Sequence, residues 1–445
     1  MKEVFLGIDC ATQSLRGALI DHSGIIYSRV SHPLDEVARG SDGRITQNPQ
    51  SWKQAIDSVI AQSITWATKN RCTIVALSIS ATSGTFVLVD AQDHPIAEAA
   101  MYNDGRANDP LGRAGAIIKE VGKGNFHFAH TPEFIIAHLT DQPVRSIPTD
   151  WSHALKTGVD LRAKSWNQAA LSEAEFLGIT LPEVVPPGHF MGRMKVTDIP
   201  IYAGMADGCT AQISVGCAEI ASAVTTLGTT MVIKVISPTD ISGAGYYSHL
   251  LPDDRWLTGG ASNIGGISYT EFSNDLDNWN ERAKQLGPAS FITYPIPNRG
   301  ERFPIANKDM PSLSSGPALD EVDRYRGILE GIAFAERMAY EKLANAGAPN
   351  SGPLFTVGGG SRSTMWCSLR ATILQRSIST VKVSGSDIGA AMIAGAGLAG
   401  GDLSNELDRF NSSTVTEFHP VASELEFYEN RYHQFCQLVN PFISQ

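Results

Sequence analysis

Residues 4–8 form an apolar run that stops at Asp9, and residues 15–20 form a second run that stops at Asp21. The small, polar segment Cys10-Ala11-Thr12-Gln13-Ser14 lies between them, a pattern that predicts a β-hairpin. A turn at His22-Ser23-Gly24 and a strand over 25–30 extend it. Asn48-Pro49 has the chemistry of a helix start, a capping side chain followed by a first-turn proline. Trp52, Ile56, Val59, Ile60, Ile64 and Ala67 then recur at helical spacing. Strands are predicted over 73–80 and 86–90, on either side of Ala81-Thr82-Ser83-Gly84-Thr85. Residues 110–195 are less periodic and read as short helices and loops belonging to the first half.

From Ile201 the pattern restarts. Gly204-Met205-Ala206-Asp207-Gly208 reads as a strand running into a turn, and 223–236 as a second hairpin around Leu227-Gly228-Thr229. Trp256-Leu257 leads into Gly259-Gly260, and 318–344 is a long amphipathic helix. The buried-type strand 354–357 runs into Gly358-Gly359-Gly360, with a helix starting near Ser363. A strand over 378–383 and a small-residue helix over 389–398 follow. The result is a loose duplication, each half holding a hairpin with a tight turn of small and hydroxyl residues. No short period repeats, which excludes a solenoid.

The chain has 445 residues, which implies two domains of roughly 200 residues each. The net charge of -11 argues against nucleic acid as a partner, since phosphate backbones call for surplus Lys and Arg. No apolar run is long enough for a membrane span, and the first one meets Asp9 too early for a signal peptide. Cysteines at 10, 72, 209, 217, 367 and 436 form no C-x-x-C pair, as in a reduced, cytoplasmic protein.

Four kinds of chemistry are on offer. The turn after Asp9 brings backbone N–H groups and hydroxyls to one place, which suits phosphate, and Asp9 itself could hold a hydrated Mg²⁺. Thr226-Leu227-Gly228-Thr229-Thr230 repeats that offer in the second half. Gly358-Gly359-Gly360-Ser361-Arg362-Ser363 lets backbone approach a flat ligand at a helix start, although it is neither a dinucleotide fingerprint nor a Walker A sequence. Asp207 is a candidate base for a hydroxyl proton, or an ordinary helix N-cap. Tyr102-Asn103-Asp104-Gly105-Arg106 offers paired donors and acceptors for sugar hydroxyls, or an ordinary turn with an ion pair.

Taken in order, these segments resemble the FGGY carbohydrate kinase family of the actin/Hsp70-like ATPase superfamily. The resemblance implies an α/β fold of two actin-like domains with a central cleft, residues 1–217 binding sugar and residues 218–445 binding nucleotide. It implies ATP and Mg²⁺ as cofactors, with ATP at Thr12, Gln13, Ser14, Gly228, Thr229, Gly358, Gly359, Gly360 and Ser361. It implies metal at Asp9, sugar at Ser83, Asn103, Asp104, Arg106 and Asp207, and catalysis by Asp207. Departures are Ala11 where the family usually has Gly, Ala371-Thr372 where it has Ala-Asp, and a shortened 110–150 segment. Ser83-Gly84 replaces the Met-His pair of xylulokinases, so the chain looks like the short D-ribulose kinases. The expected reaction is phosphorylation of D-ribulose at a terminal hydroxyl, with D-xylulose or another pentulose or polyol as alternatives. The remaining rivals are an actin-like ATPase that serves a protein partner and a silent sugar-binding regulator. A homodimer is compatible with this reading.

Overall fold

The computed structural model describes residues 1–216, 219–381, 383–400, 410 and 415–443. The chain forms two compact units. The first comprises Met1–Ala218, Leu250–Asp254 and Val383–Ser413; the second comprises Glu219–His249, Arg255–Lys382 and Thr414–Gln445. None of the described helices is long and apolar enough to cross a membrane.

The first unit is built on a six-stranded sheet in the order Phe190–Arg193, Pro200–Ala206, Cys72–Ala81, Lys2–Cys10, Ser14–Ile20, Ile26–Pro33. Lys2–Cys10 and Ser14–Ile20 are the predicted hairpin. Lys2–Cys10 also runs parallel to Cys72–Ala81, which runs parallel to Pro200–Ala206. The carboxyl ends of three parallel strands therefore lie side by side, with Asp9 opposite Ser80 and Ala206 opposite Ala81. In open α/β sheets that edge is where ligands bind.

Pro49–Lys69 is the predicted helix. Asn48 caps it by accepting from the Gln50 N–H at 3.0 Å, and Trp52, Ile56, Val59 and Ile60 are buried. The small-residue helix Ser386–Leu398 also belongs to the first unit, lying on the central strands. Its alanines and glycines permit backbone-to-backbone approach: a Cβ at Gly7 would sit 1.9 Å from the Asp387 carbonyl oxygen, and one at Gly389 1.9 Å from that of Thr210. The weakly periodic middle contains the helices Pro110–Val121, Thr131–Thr140, Trp151–Ala154 and Gln168–Leu177. Such short elements, partly covering a second small sheet, carry too few turns to print a clear period.

The second unit repeats the plan. Its seven-stranded sheet has the order Tyr246–Leu250, Trp256–Ala261, Met231–Ser237, Ala223–Leu227, Leu354–Val357, Ile378–Val381, Val415–Phe418. Ala223–Leu227 pairs with Met231–Ser237 as a hairpin and runs parallel to Leu354–Val357, which runs parallel to Ile378–Val381. The six strands from Trp256–Ala261 to Val415–Phe418 follow the first unit's order, and Tyr246–Leu250 is an added edge strand. The helices Glu321–Asn345 and Thr364–Leu374 are joined by the fully buried Glu336–Arg370 ion pair at 2.6 Å, which also engages Thr356 and Thr225, the latter in turn bonded to Tyr340.

Gly7→Ala should lower stability by about 1–3 kcal/mol or more, because main chain lies where the methyl would go. Gly316→Ala, where an added Cβ meets nothing, should change it by less than about 0.5 kcal/mol. Urea unfolding of the two variants checks the contrast.

Candidate active site

In the first unit the hairpin turn is fixed from three sides. Ala11 N–H donates to the Ser14 carbonyl at 3.1 Å, Gln47 Nε2 to the Thr12 carbonyl at 2.9 Å, and Leu34 N–H to the Gln13 carbonyl at 3.0 Å. Gln47 is itself held by Trp52 Nε1. Ala11 is absent from the residues with positive φ, so alanine in place of the usual glycine brings no backbone strain.

Asp9, at the end of its strand, is 1 % exposed. One oxygen accepts from Arg16 Nη2 at 2.6 Å, and the other, Oδ1, has no protein partner. Burial pushes its carboxyl up to about 7; Arg16 opposes that, while Asp207 and Asp387 add to it. Asp387 is occupied by a bidentate contact from Arg29 at 2.7 and 2.9 Å.

Asp207 opens the helix Asp207–Ile213, and the cap position before it belongs to Ala206, so the N-cap reading of Asp207 does not hold. Its carboxylate accepts from the Gly208 N–H at 2.7 Å. Burial raises its pKa, against the Gly208 N–H, the charges of His153 and Lys156, and the Thr82 hydroxyl. Behind it lies a tetrad that the sequence reading missed. Asp150 Oδ1 accepts from Ser152 Oγ at 2.6 Å, its other oxygen meets His153 Nδ1, and Ala206 N–H donates to Ser152 Oγ at 2.8 Å. His153 Nε2 lies 3.1 Å from the Ala81 nitrogen and 3.2 Å from the Ala81 carbonyl oxygen, to which it donates when the ring is protonated. Burial alone would raise the Asp150 carboxyl and lower the His153 imidazole. Their mutual attraction reverses both, holding Asp150 below and His153 above the ordinary values.

Ser83 is buried, with its hydroxyl turned to the Ser152 and His153 carbonyls. The 101–106 loop is tied to the Thr82–Thr85 loop by Arg113, which donates to the Gly84 and Met101 carbonyls at 3.2 Å each. Asp104 and Arg106 hold one another, and Asp104 also accepts from the Ile45 N–H. Asn103 is the exposed polar side chain of that turn. Asp9, Thr12, Gln13, Ser14, Ser83, Asn103, Asp104, Arg106 and Asp207 thus all belong to one unit. Arg16 was legible in principle, since a registered hairpin places it directly across from Asp9. Ser152 and His153 sit in a helix of four residues that Asp150 caps, and the three give no periodic signal.

In the second unit, Leu227, which precedes Gly228 and Thr229, lies against Gly358 and Gly360. Gly358 has φ +91°, and a Cβ there would come within 2.4 Å of the Leu227 carbonyl oxygen. Ile267 N–H donates to the Thr229 carbonyl at 3.0 Å. Ile267 also lines a cavity of about 630 Å³ with Ser268, Phe291, Pro297, Arg324 and Ile328. That size admits a nucleoside.

Residues 4–118 match the N-terminal domain and residues 223–398 the C-terminal domain of the FGGY family of carbohydrate kinases, to which this chain belongs. It is an ATP-using phosphotransferase with an alcohol group as acceptor. The xylulose kinase of Staphylococcus xylosus is 21% identical, covering 96% of this chain and 98% of its own. The xylulose kinase of Rhodospirillum rubrum superposes with a TM-score of 0.85 at 18% identity, covering 99% of this chain and 100% of its own. The gluconate kinase of Lactobacillus acidophilus superposes with 0.84 at 21%, covering 100% and 99%. These likenesses establish a two-domain α/β fold of the actin/Hsp70 kind.

The Asp9 carboxyl yields a pH prediction. Its pKa is raised on folding from an ordinary 3.8 to about 7, so the folded state favours its protonated form. Stability from this group is full below the unfolded pKa and is lost as pH rises towards 7. The stability of the metal-free protein relative to Asp9→Asn should therefore fall by up to about 1.4 kcal/mol per pH unit between these limits. Denaturant unfolding of both proteins at several pH values measures it.

Proposed function

We propose that this kinase phosphorylates a small open-chain ketose, D-ribulose in preference, at a terminal hydroxyl. The observation that carries the reading is the placement of Asp207. It sits at the carboxyl edge of the sheet, beside the Thr82–Ser83 loop, with its carboxyl shifted upward and Asn103 exposed on the tethered neighbouring loop. A carboxylate so placed accepts a hydroxyl proton late, as the phosphoryl group transfers. In this reading Ser83 shapes the sugar pocket through its backbone, and Asn103 meets sugar hydroxyls. Asp104 and Arg106 hold the turn that presents it.

ATP lies with its adenosine at Gly358, Gly359, Gly360 and Ser361, in the second unit. In the second unit its phosphates are assigned to Gly228 and Thr229; Thr12, Gln13 and Ser14 form the first unit's own proposed phosphate loop. Mg²⁺ suits Asp9, whose buried Oδ1 lacks any protein partner. The described residues hold no cluster of three metal-ligating side chains. That agrees with an ion held by one carboxylate, water and phosphate oxygens, the usual manner of Mg²⁺. When bound, it would neutralise charge on the phosphates.

A second reading, D-xylulose, has its own support in the names of relatives such as the S. xylosus enzyme. The two sugars differ at C3, and each buried polar group left unpaired by the wrong epimer costs about 1–3 kcal/mol, or roughly 5- to 150-fold in kcat/KM. The small, polar Thr82-Ser83-Gly84 loop favours D-ribulose. Measuring kcat/KM for both decides the matter: a clear D-ribulose preference supports the first reading, and equality or a D-xylulose preference overturns it.

Asp207→Asn should retain fold and sugar binding but lose roughly 10²–10⁴ in kcat. Steady-state kinetics with calorimetric sugar binding checks this, and near-normal kcat would remove Asp207 from the chemistry.

A further inference from the structure

Lys156 lies in the turn Leu155–Thr157, three residues beyond His153. Its ammonium donates to the Ser83 carbonyl at 3.2 Å and stands 5.9 Å from the centre of the Tyr102 ring. Its methylenes pass over Gly84, where an added Cβ would sit 3.3 Å from Lys156 Cδ and the φ of +88° also favours glycine. Its positive charge reaches the Asp207 carboxylate. One cation therefore touches or faces three of the segments that surround the acceptor side of the site: the Thr82–Thr85 loop, the Tyr102–Asn103 turn and Asp207.

An ammonium carries three N–H donors and no acceptor. The Ser83 carbonyl takes one; the residue as a whole is exposed, while burial around the ammonium itself lowers its pKa. A backbone carbonyl anchors the group without neutralising it. Asp207, the nearest opposite charge, is the group that the reaction itself employs. Fixed at one end and uncommitted at the other, the ammonium has the geometry of a ligand-reading donor.

We propose that Lys156 is a substrate-recognising residue that donates hydrogen bonds to carbonyl or hydroxyl oxygens of the acceptor sugar, orienting the chain so that its reacting hydroxyl faces Asp207. The assignment rests on the sugar-kinase reading above. It also gives a reason for glycine at position 84: a larger residue would push the lysine stem away from the pocket.

The test compares wild type with Lys156→Met, Lys156→Gln and Lys156→Arg on ketopentoses, the corresponding pentitols and 1-deoxyketopentoses, with ATP varied separately. Losing a charged hydrogen bond predicts a rise of about 10- to 150-fold in KM for the preferred sugar with Lys156→Met. KM for ATP should stay unchanged, and Lys156→Arg should recover part of the loss. On the analogue that lacks the contacted oxygen, wild type and Lys156→Met should converge, which a merely structural lysine would not produce. Unchanged sugar KM in Lys156→Met, or an equal loss on every analogue, overturns the inference while the kinase reading stands. A wild type with no sugar-dependent turnover overturns both.

Discussion

Main-chain contact at three glycines is the constraint on which the first unit's site depends. Gly7, Gly204 and Gly389 each bring a backbone carbonyl to where a Cβ would lie, at 1.9 Å in every case. These contacts draw the strands Lys2–Cys10, Cys72–Ala81 and Pro200–Ala206 and the helix Ser386–Leu398 into one tightly stacked block. The same closeness puts Asp207 and Asp387 within electrostatic reach of Asp9. Close packing and charge crowding are here one fact, because backbones cannot approach further without bringing their carboxylates with them.

Crowding has a chemical return. Asp387 is neutralised by Arg29, whereas Asp9 shares one arginine contact and keeps an unpartnered oxygen. A buried carboxylate with a spare lone pair is poorly solvated until a cation arrives. Asp207 differs again: its charge is eased by a backbone N–H, by His153 and Lys156, and by the Thr82 hydroxyl. Three aspartates on one block thus have three environments.

The second unit repeats the topology without repeating the chemistry. Its first strand ends in Thr226 and Leu227 where the first unit has Asp9 and Cys10. Among its buried charges are the Arg326–Glu330 pair and the Glu336–Arg370 pair, the latter bonded to Thr225 and Thr356. One copy of the plan keeps its carboxylates at the sheet edge. The other keeps hydroxyls and glycines there and uses its charge to hold helices to strands.

Local chemistry determined much of this from sequence. The hairpin about residues 10–14, the Asn48-Pro49 helix start and the Gly358–Gly360 turn are all signalled within a few neighbouring residues, so their patterns survive without tertiary context. The same holds for the duplication, because strands that alternate with turns print their order directly. Tertiary structure decided what pairs at long range. The Asp150–His153 contact with Ala81 spans 72 residues, and Ser152 meets Ala206 over 54, from a helix too short to have a period. That Asp104, read from sequence as a sugar ligand, also accepts from the Ile45 N–H and from Arg106 is likewise visible only in the fold. That Ser386–Leu398 joins the first unit depends on glycines nearly four hundred residues apart meeting main chain, a steric match that no local pattern encodes.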